Sequence, residues 1–205
     1  MKILILLAAA AALPAFGAVI TPINNSFETP AYAPGGYTNP YNLNTIDGWT
    51  FTTAGIAATG SPWFAGSPPD GSQAAFCQNA CEISQSISGF IIGDPYAVSF
   101  YFADRSGYSP VGIEVFLGGH DLGAYMPVNG ATNFVPVTTT STIADATTMT
   151  LSFVGIYTGG DIDTAIDLVT IDGTAASVPE PSSVAGLLAA GVLGFFARRR
   201  VVRNA

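Results

Sequence analysis

Between Ala18 and Ser177 the side chains on which acid, base or charge chemistry could rest are thirteen carboxylates, one arginine, Arg105, and one histidine, His120. A Ser-His-Asp relay or a multi-histidine zinc site would have to rest on His120 alone. Its setting, GGHDLG, reads as a surface turn. The serines lack a Gly-x-Ser-x-Gly elbow. Carboxylate pairs of the kind used in glycoside hydrolysis are present, but any acidic chain offers them. These residues point to binding and not to catalysis.

The binding candidates are Arg105 and a set of aromatics. Arg105, in FADRSGYSP, could bond a sugar or carboxylate ligand through its planar fork, or could tie down a loop by pairing with one of the many acids. Tyr32, Tyr37, Tyr41, Trp63, Phe64 and Tyr108 stand in loops rich in Gly and Pro. Aromatic faces on exposed loops can grip neutral sugars, and they can equally cover the ends of a fold. Tyr37, Trp63, Tyr108 and Arg105 form the candidate ligand set. Trp49, at a strand start, reads as core.

Thirteen acids against one arginine leave that span with a net charge of −12. Such a surface repels phosphate backbones and lacks the basic patch that nucleic-acid binding requires, so cations or neutral ligands are the better fit. The remaining cations sit at the two ends of the 205 residues. MKILILLAAAAALPAFGA has one Lys, a short apolar stretch, and Ala15 and Gly17 ahead of Ala18, the pattern of a signal peptide over residues 1–17 cleaved by signal peptidase. Export gives the two cysteines a role. Cys77 and Cys81 are separated by three residues, without the helix start or two-residue spacing of a redox pair, and are expected to form a local disulfide across a turn.

The elements that must position these residues are strands. YAVSFYFA alternates Tyr96, Val98, Phe100 and Phe102 on one face with Ala97, Ser99, Tyr101 and Ala103 on the other. GWTFTT, SQAAFC, EISQSIS, VGIEVFL, NFVPVTTT, MTLSFVGI and AIDLVTID are read the same way, punctuated by Gly, Pro, Asn and Asp. No helical period competes with them. The expectation is an all-β, antiparallel sandwich over residues 18–176, with Pro136 marking an edge or a bulge.

The order of NNSFETP, IDGWTF, GSQAAFC, ISQSISGF, YAVSFYFADR and TAIDLVTI resembles the galactose-binding-like β-sandwich of many carbohydrate-binding modules. The resemblance implies a jelly roll of two antiparallel sheets, with ligands that vary between members. It also implies a structural calcium shared by a Glu from the first strand and an Asp from the last, here Glu28 and Asp167, with Asp161 and Asp163 as further candidate ligands. Calcium takes six to eight oxygens, which chain ends lying side by side can supply.

The tail, VPEPSSVAGLLAAGVLGFFARRR, carries sixteen uncharged residues from Ser182 to Ala197. As a helix they would span about 24 Å, short of the roughly 30 Å hydrocarbon core. Arg198, Arg199 and Arg200, within a cluster over 198–203, would stay cytoplasmic and leave the acidic domain outside. Val178, Pro179, Glu180 and Pro181, a short apolar helix over 182–197 and terminal arginines together resemble the PEP-CTERM sorting signal. That resemblance, assigned to residues 177–205, implies processing by an exosortase after a transient stay in the inner membrane of a Gram-negative bacterium that makes extracellular polysaccharide. The expected product is a non-enzymatic, carbohydrate-binding or adhesive protein of the cell surface or biofilm matrix, associated with exopolysaccharide. The alternative is an acidic, calcium-binding matrix protein with no sugar ligand.

Overall fold

The computed structural model describes residues 18–39 and 44–173, which fall within one compact unit, Gly17–Thr174. The signal-peptide, sorting-motif and apolar-helix assignments, and Tyr41, lie outside the described residues. Among the described residues no helix is long and apolar enough to cross a membrane.

The strands are β1 (Val19–Ile20), β2 (Asn44–Ile46), β3 (Trp49–Ala58), β4 (Gln73–Ser88), β5 (Pro95–Asp104), β6 (Gly112–Leu117), β7 (His120–Tyr125), β8 (Val135–Thr138), β9 (Thr142–Ile143), β10 (Thr148–Ile156) and β11 (Asp163–Gly173). All the ladders between them are antiparallel. The fold is the expected all-β jelly-roll sandwich, and β4 shows how it is made. Residues 75–78 of β4 pair with β11, whereas residues 82–88 of the same strand pair with β10. The first ladder continues through β5 to β8, the second through β6 to β7. β3 follows β4 along its other edge through both halves.

The corner between the halves corrects one sequence expectation. SQAAFC and EISQSIS are two ends of one strand, not two strands joined by a turn. Between Thr52↔Glu82 and Ala54↔Cys77 the single Thr53 faces four residues of β4, Gln78 to Cys81. Thr53 (φ 49°) and Asn79 (φ 56°) adopt the left-handed conformation that such a bulge requires. The disulfide Cys77–Cys81 spans this bulge within β4.

Alternation then fills the space between the halves. Val98, Phe100 and Phe102 of β5 and Ile166 and Ile171 of β11 face Val115 and Leu117 of β6 and Leu151 and Phe153 of β10. Phe100 and Phe153 meet across the layers at 5.2 Å, edge to face. Trp49 is fully buried between Phe27 and Phe153, and its indole N–H donates to the Ile23 carbonyl at 2.8 Å. β8, with Pro136 opposite Tyr101, is the terminal strand of its row, where a missing N–H is tolerated.

The outer face of the β4–β11–β5 half is not left to solvent. Ala57, Ala74, Phe76 and Ala165 line it, and Trp63 and Phe64 from the connection before β4 lie over them, with Phe134 alongside. Small residues on the strands leave room for large rings from the loop.

Candidate functional site

Two groups of polar side chains occupy this covered face. Alternation puts Asp163, Ala165 and Asp167 of β11 on it in one row, so the two aspartates stand about 13 Å apart along the strand.

At the Asp167 end, the chain before the first long strand is bound to a bulge in β11. Pairing of β11 with β5 slips between Asp167 and Thr170. There the Val169 N–H donates to the Asn25 carbonyl at 2.8 Å, and the Asn25 amide returns a bond to the Val169 carbonyl at 3.2 Å. Phe27 (φ 58°) and Leu168 (φ 50°) take left-handed backbone conformations directly beside the two carboxylates. Such conformations are costly for large side chains and cluster at functional sites. One oxygen of Glu28 accepts the N–H groups of Ser72 (2.9 Å) and Gln73 (2.7 Å). Asp167, fully buried, accepts from the Asp70 N–H at 3.3 Å, and its other oxygen has no partner among the described residues. Burial pushes the Asp167 carboxyl up to about 8, against the N–H groups of Leu168 and Asp70, with the Glu28 and Asp70 carboxylates adding to the rise. Gly71 (φ 64°) permits the arrangement, because a Cβ there would collide with the Glu28 carboxyl group. Among the described residues, Glu28, Asp70 and Asp167 thus converge without a neighbouring cation. Sequence reasoning missed Asp70, whose PPDG setting signals only a turn.

At the other end, Asp161 and Asp163 lie with Arg105, apart from Glu28 and Asp167. Trp63 is sandwiched, stacked on Phe76 at 4.2 Å on one side with the Arg105 guanidinium 4.8 Å from its centroid. Tyr108 covers that guanidinium at 3.7 Å, and Tyr37 meets Trp63 edge-on at 5.7 Å. Four residues from three chain segments therefore converge. Trp63 is only 6% exposed, whereas Tyr37 and Tyr108 are 46% and 39% exposed. The bulge of β4 helps to set this end. Asn79 exchanges bonds with Ile162 (3.0 and 3.2 Å), and the Gln78 amide donates to Asp161 at 2.9 Å. Arg105 Nη1 is 3.7 Å from Asp161, too far for a hydrogen bond. Burial raises Asp163 well above the carboxylate range, Arg105 opposes that rise, and Asp161 and Asp104 add to it. Burial also raises Asp104, against the N–H groups of Gly130 and Arg105. Beside the stack lies a shallow cavity of about 440 Å³, lined by Thr59, Ser61, Phe64 and Ser106 among others.

His120 opens β7 and pairs with Asp145 at 3.2 Å on the surface. Among the described residues, no group of three or more His, Cys, Asp or Glu side chains is placed to hold a metal ion by itself.

Residues 177–200 match the PEP-CTERM protein-sorting motif. No curated protein sequence is significantly similar to the chain. Among solved structures, the Stig cyclase FisC from Fischerella sp. TAU, bound to a pyrrolidinylidene indole, is similar over 78% of this chain and 100% of its own, with 16% identity and a TM-score of 0.60. The carbohydrate-binding module TmCBM61, in complex with β-1,4-galactotriose, is similar over 75% of this chain and 98% of its own, with 15% identity and a TM-score of 0.51. The K2 cleaved adhesin domain of Lys-gingipain is similar over 75% of this chain and 99% of its own, with 13% identity and a TM-score of 0.50. A cyclase, a sugar binder and an adhesin on one scaffold establish the fold and leave function to the site.

Proposed function

We propose that the protein is exported, processed at its PEP-CTERM motif by an exosortase, and displayed at the cell surface or in the extracellular matrix as a non-catalytic carbohydrate-binding or adhesive module. Signal peptidase removes residues 1–17 in this reading, and the ligand is an exopolysaccharide or related glycan. The observation that carries it is the convergence of Tyr37, Trp63, Arg105 and Tyr108, with the hydroxyl side chains of Thr59, Ser61 and Ser106 among those lining the cavity alongside. Stacked rings with a guanidinium offer both the apolar face and the donors that a sugar ring requires. A glycan array tests the reading: saturable binding lost in Tyr37→Ala and Tyr108→Ala supports it, and complete absence of binding defeats it.

A structural calcium belongs to the same proposal. The unpartnered Asp167 oxygen and the Glu28 and Asp70 carboxylates beside it fit a hard cation, provided backbone carbonyls complete the six to eight oxygens. Glu28 and Asp167 would hold it, with Asp70 nearby. The ion would neutralise the crowded carboxylates and lock the N-terminal segment to β11. The same carboxylates favour the second reading, an acidic calcium-binding matrix protein, which is the outcome if chelation changes stability and no glycan binds.

A further inference from the structure

The Arg105 end contains more polar groups than its own contacts use. Among the described residues, Trp63 Nε1 and Arg105 Nε and Nη1 are buried donors with no hydrogen-bond partner. Both oxygens of Asp163, one of Asp104 and the side-chain carbonyl of Gln78 are buried acceptors in the same condition. Arg105 is 8% exposed, Gln78 5%, and Asp163 and Asp104 are fully buried. An orphaned buried group costs more than a hydrogen bond normally returns, so seven in one cluster are too many for a structural network. Their mixture also carries information. A cation would use the acceptors and be repelled by Arg105, whereas an anion would use the donors and be repelled by Asp161 and Asp104. Groups that donate and accept at one atom, as hydroxyls do, satisfy both kinds.

We infer that this cluster is the specificity element of the proposed glycan site, taking the hydroxyls of a neutral sugar and rejecting uronates. The inference rests on the glycan reading above. Arg105 alone would suggest an acidic sugar, but the half-exposed Asp161 carboxylate lies 3.7 Å from its guanidinium and offsets its charge, so the cluster has no net positive charge to offer a carboxylate. Tyr108, exposed on the turn closed by its N–H bond to the Arg105 carbonyl (3.3 Å), carries the ring that a sugar meets at the solvent side of the cluster.

The test uses the full chain in a polyoxyethylene detergent, which carries no competing sugar headgroup, and affinity electrophoresis through paired polymers. Each neutral polymer is matched with a uronate counterpart, beginning with β-1,4-galactan and polygalacturonate. Wild-type protein should bind at least one neutral polymer ten-fold or more tightly than its uronate counterpart. Asp163→Val, of similar size and suited to a strand, should lose that binding ten-fold or more with an unchanged or higher Tm, because it removes orphaned acceptors. Asp163→Asn, which keeps a donor and an acceptor, should retain it. Equal or preferential uronate binding overturns the inference and leaves the glycan reading standing. So does an Asp163→Val variant that binds normally, or one whose Tm falls together with its binding. Failure of every polymer to bind overturns both.

Discussion

Asp163 and Asp167 lie on one face of one strand, both fully buried and both held above the ordinary carboxylate range by that burial. Their surroundings differ. Asp163 has the arginine of the sandwich beside it, rings above and below that arginine, and donors and acceptors left over in near balance. Asp167 has two more carboxylates for company and, among the described residues, no cation. The same buried acid thus means two things. In the first setting the imbalance is one of hydrogen bonds, which a neutral polar ligand can answer. In the second it is one of charge, which only a cation or a proton can answer.

The largest effect should come from Trp63. If it is the wall of the Asp163 end, sandwiched between Phe76 and Arg105, Trp63→Ala removes a buried indole from the second core and should cost about 3 to 5 kcal/mol of stability. Chemical denaturation measures this. A loss below about 1 kcal/mol would mean that the ring is a surface platform and that the two ends do not differ in packing.

The next effect belongs to the Asp167 end and is a pH dependence. The folded Asp167 titrates at about 8, above its unfolded value of about 3.9, so the folded state binds more protons between these limits. Its contribution to stability is therefore full below about pH 4 and is lost as pH rises through about 8, with a slope of at most about 1.4 kcal/mol per pH unit. In a chelator, Tm should fall from pH 5 to pH 8. Asp163 and Asp104 contribute in the same sense, so the share that disappears in Asp167→Asn is the share due to Asp167. Calcium should compete with the proton and raise Tm more at pH 8 than at pH 5. Gly71→Ala, by displacing Glu28, should reduce that calcium shift and leave the Asp163 end unchanged. A calcium shift unaffected by Glu28→Ala, Asp167→Ala and Gly71→Ala would remove the calcium assignment.

The strands of this fold were legible because half-buried strands alternate, as β5, β6 and β10 do. β4 was misread because its first half is buried on both faces, and because Asn79 between two cysteines has the composition of a turn. Glu28 and Asp167 came from the order of segments. Asp70 could not, since only the pairing of β4 with β11 brings the connection before β4 to Asp167. Trp63 shows the commonest failure: Gly and Pro around it signal a loop, but nothing local says that the loop lies over a sheet face lined with alanines. Arg105 was suspect as the lone cation, while Gln78 and Asp104 acquired significance only from pairing across β11.

The smallest effect gives the finest comparison. Asp161 is half exposed, its contact with Arg105 is long, and Asn in its place keeps an oxygen for the Gln78 amide. Asp161→Asn should change stability by no more than about 1 kcal/mol. It should nonetheless lower the Asp163 titration, because the Asp161 charge adds to the rise that Arg105 opposes. Asp70→Asn should likewise lower that of Asp167. Carboxyl-carbon NMR titrations read both, and the two variants should differ in calcium. Relieving Asp167 of a charge removes part of the reason to bind the ion, so the calcium shift in Tm should shrink in Asp70→Asn. Asp161→Asn should leave that shift as it was. If both variants alter it equally, the acids of this face act as one diffuse negative field and the separation between the two ends disappears.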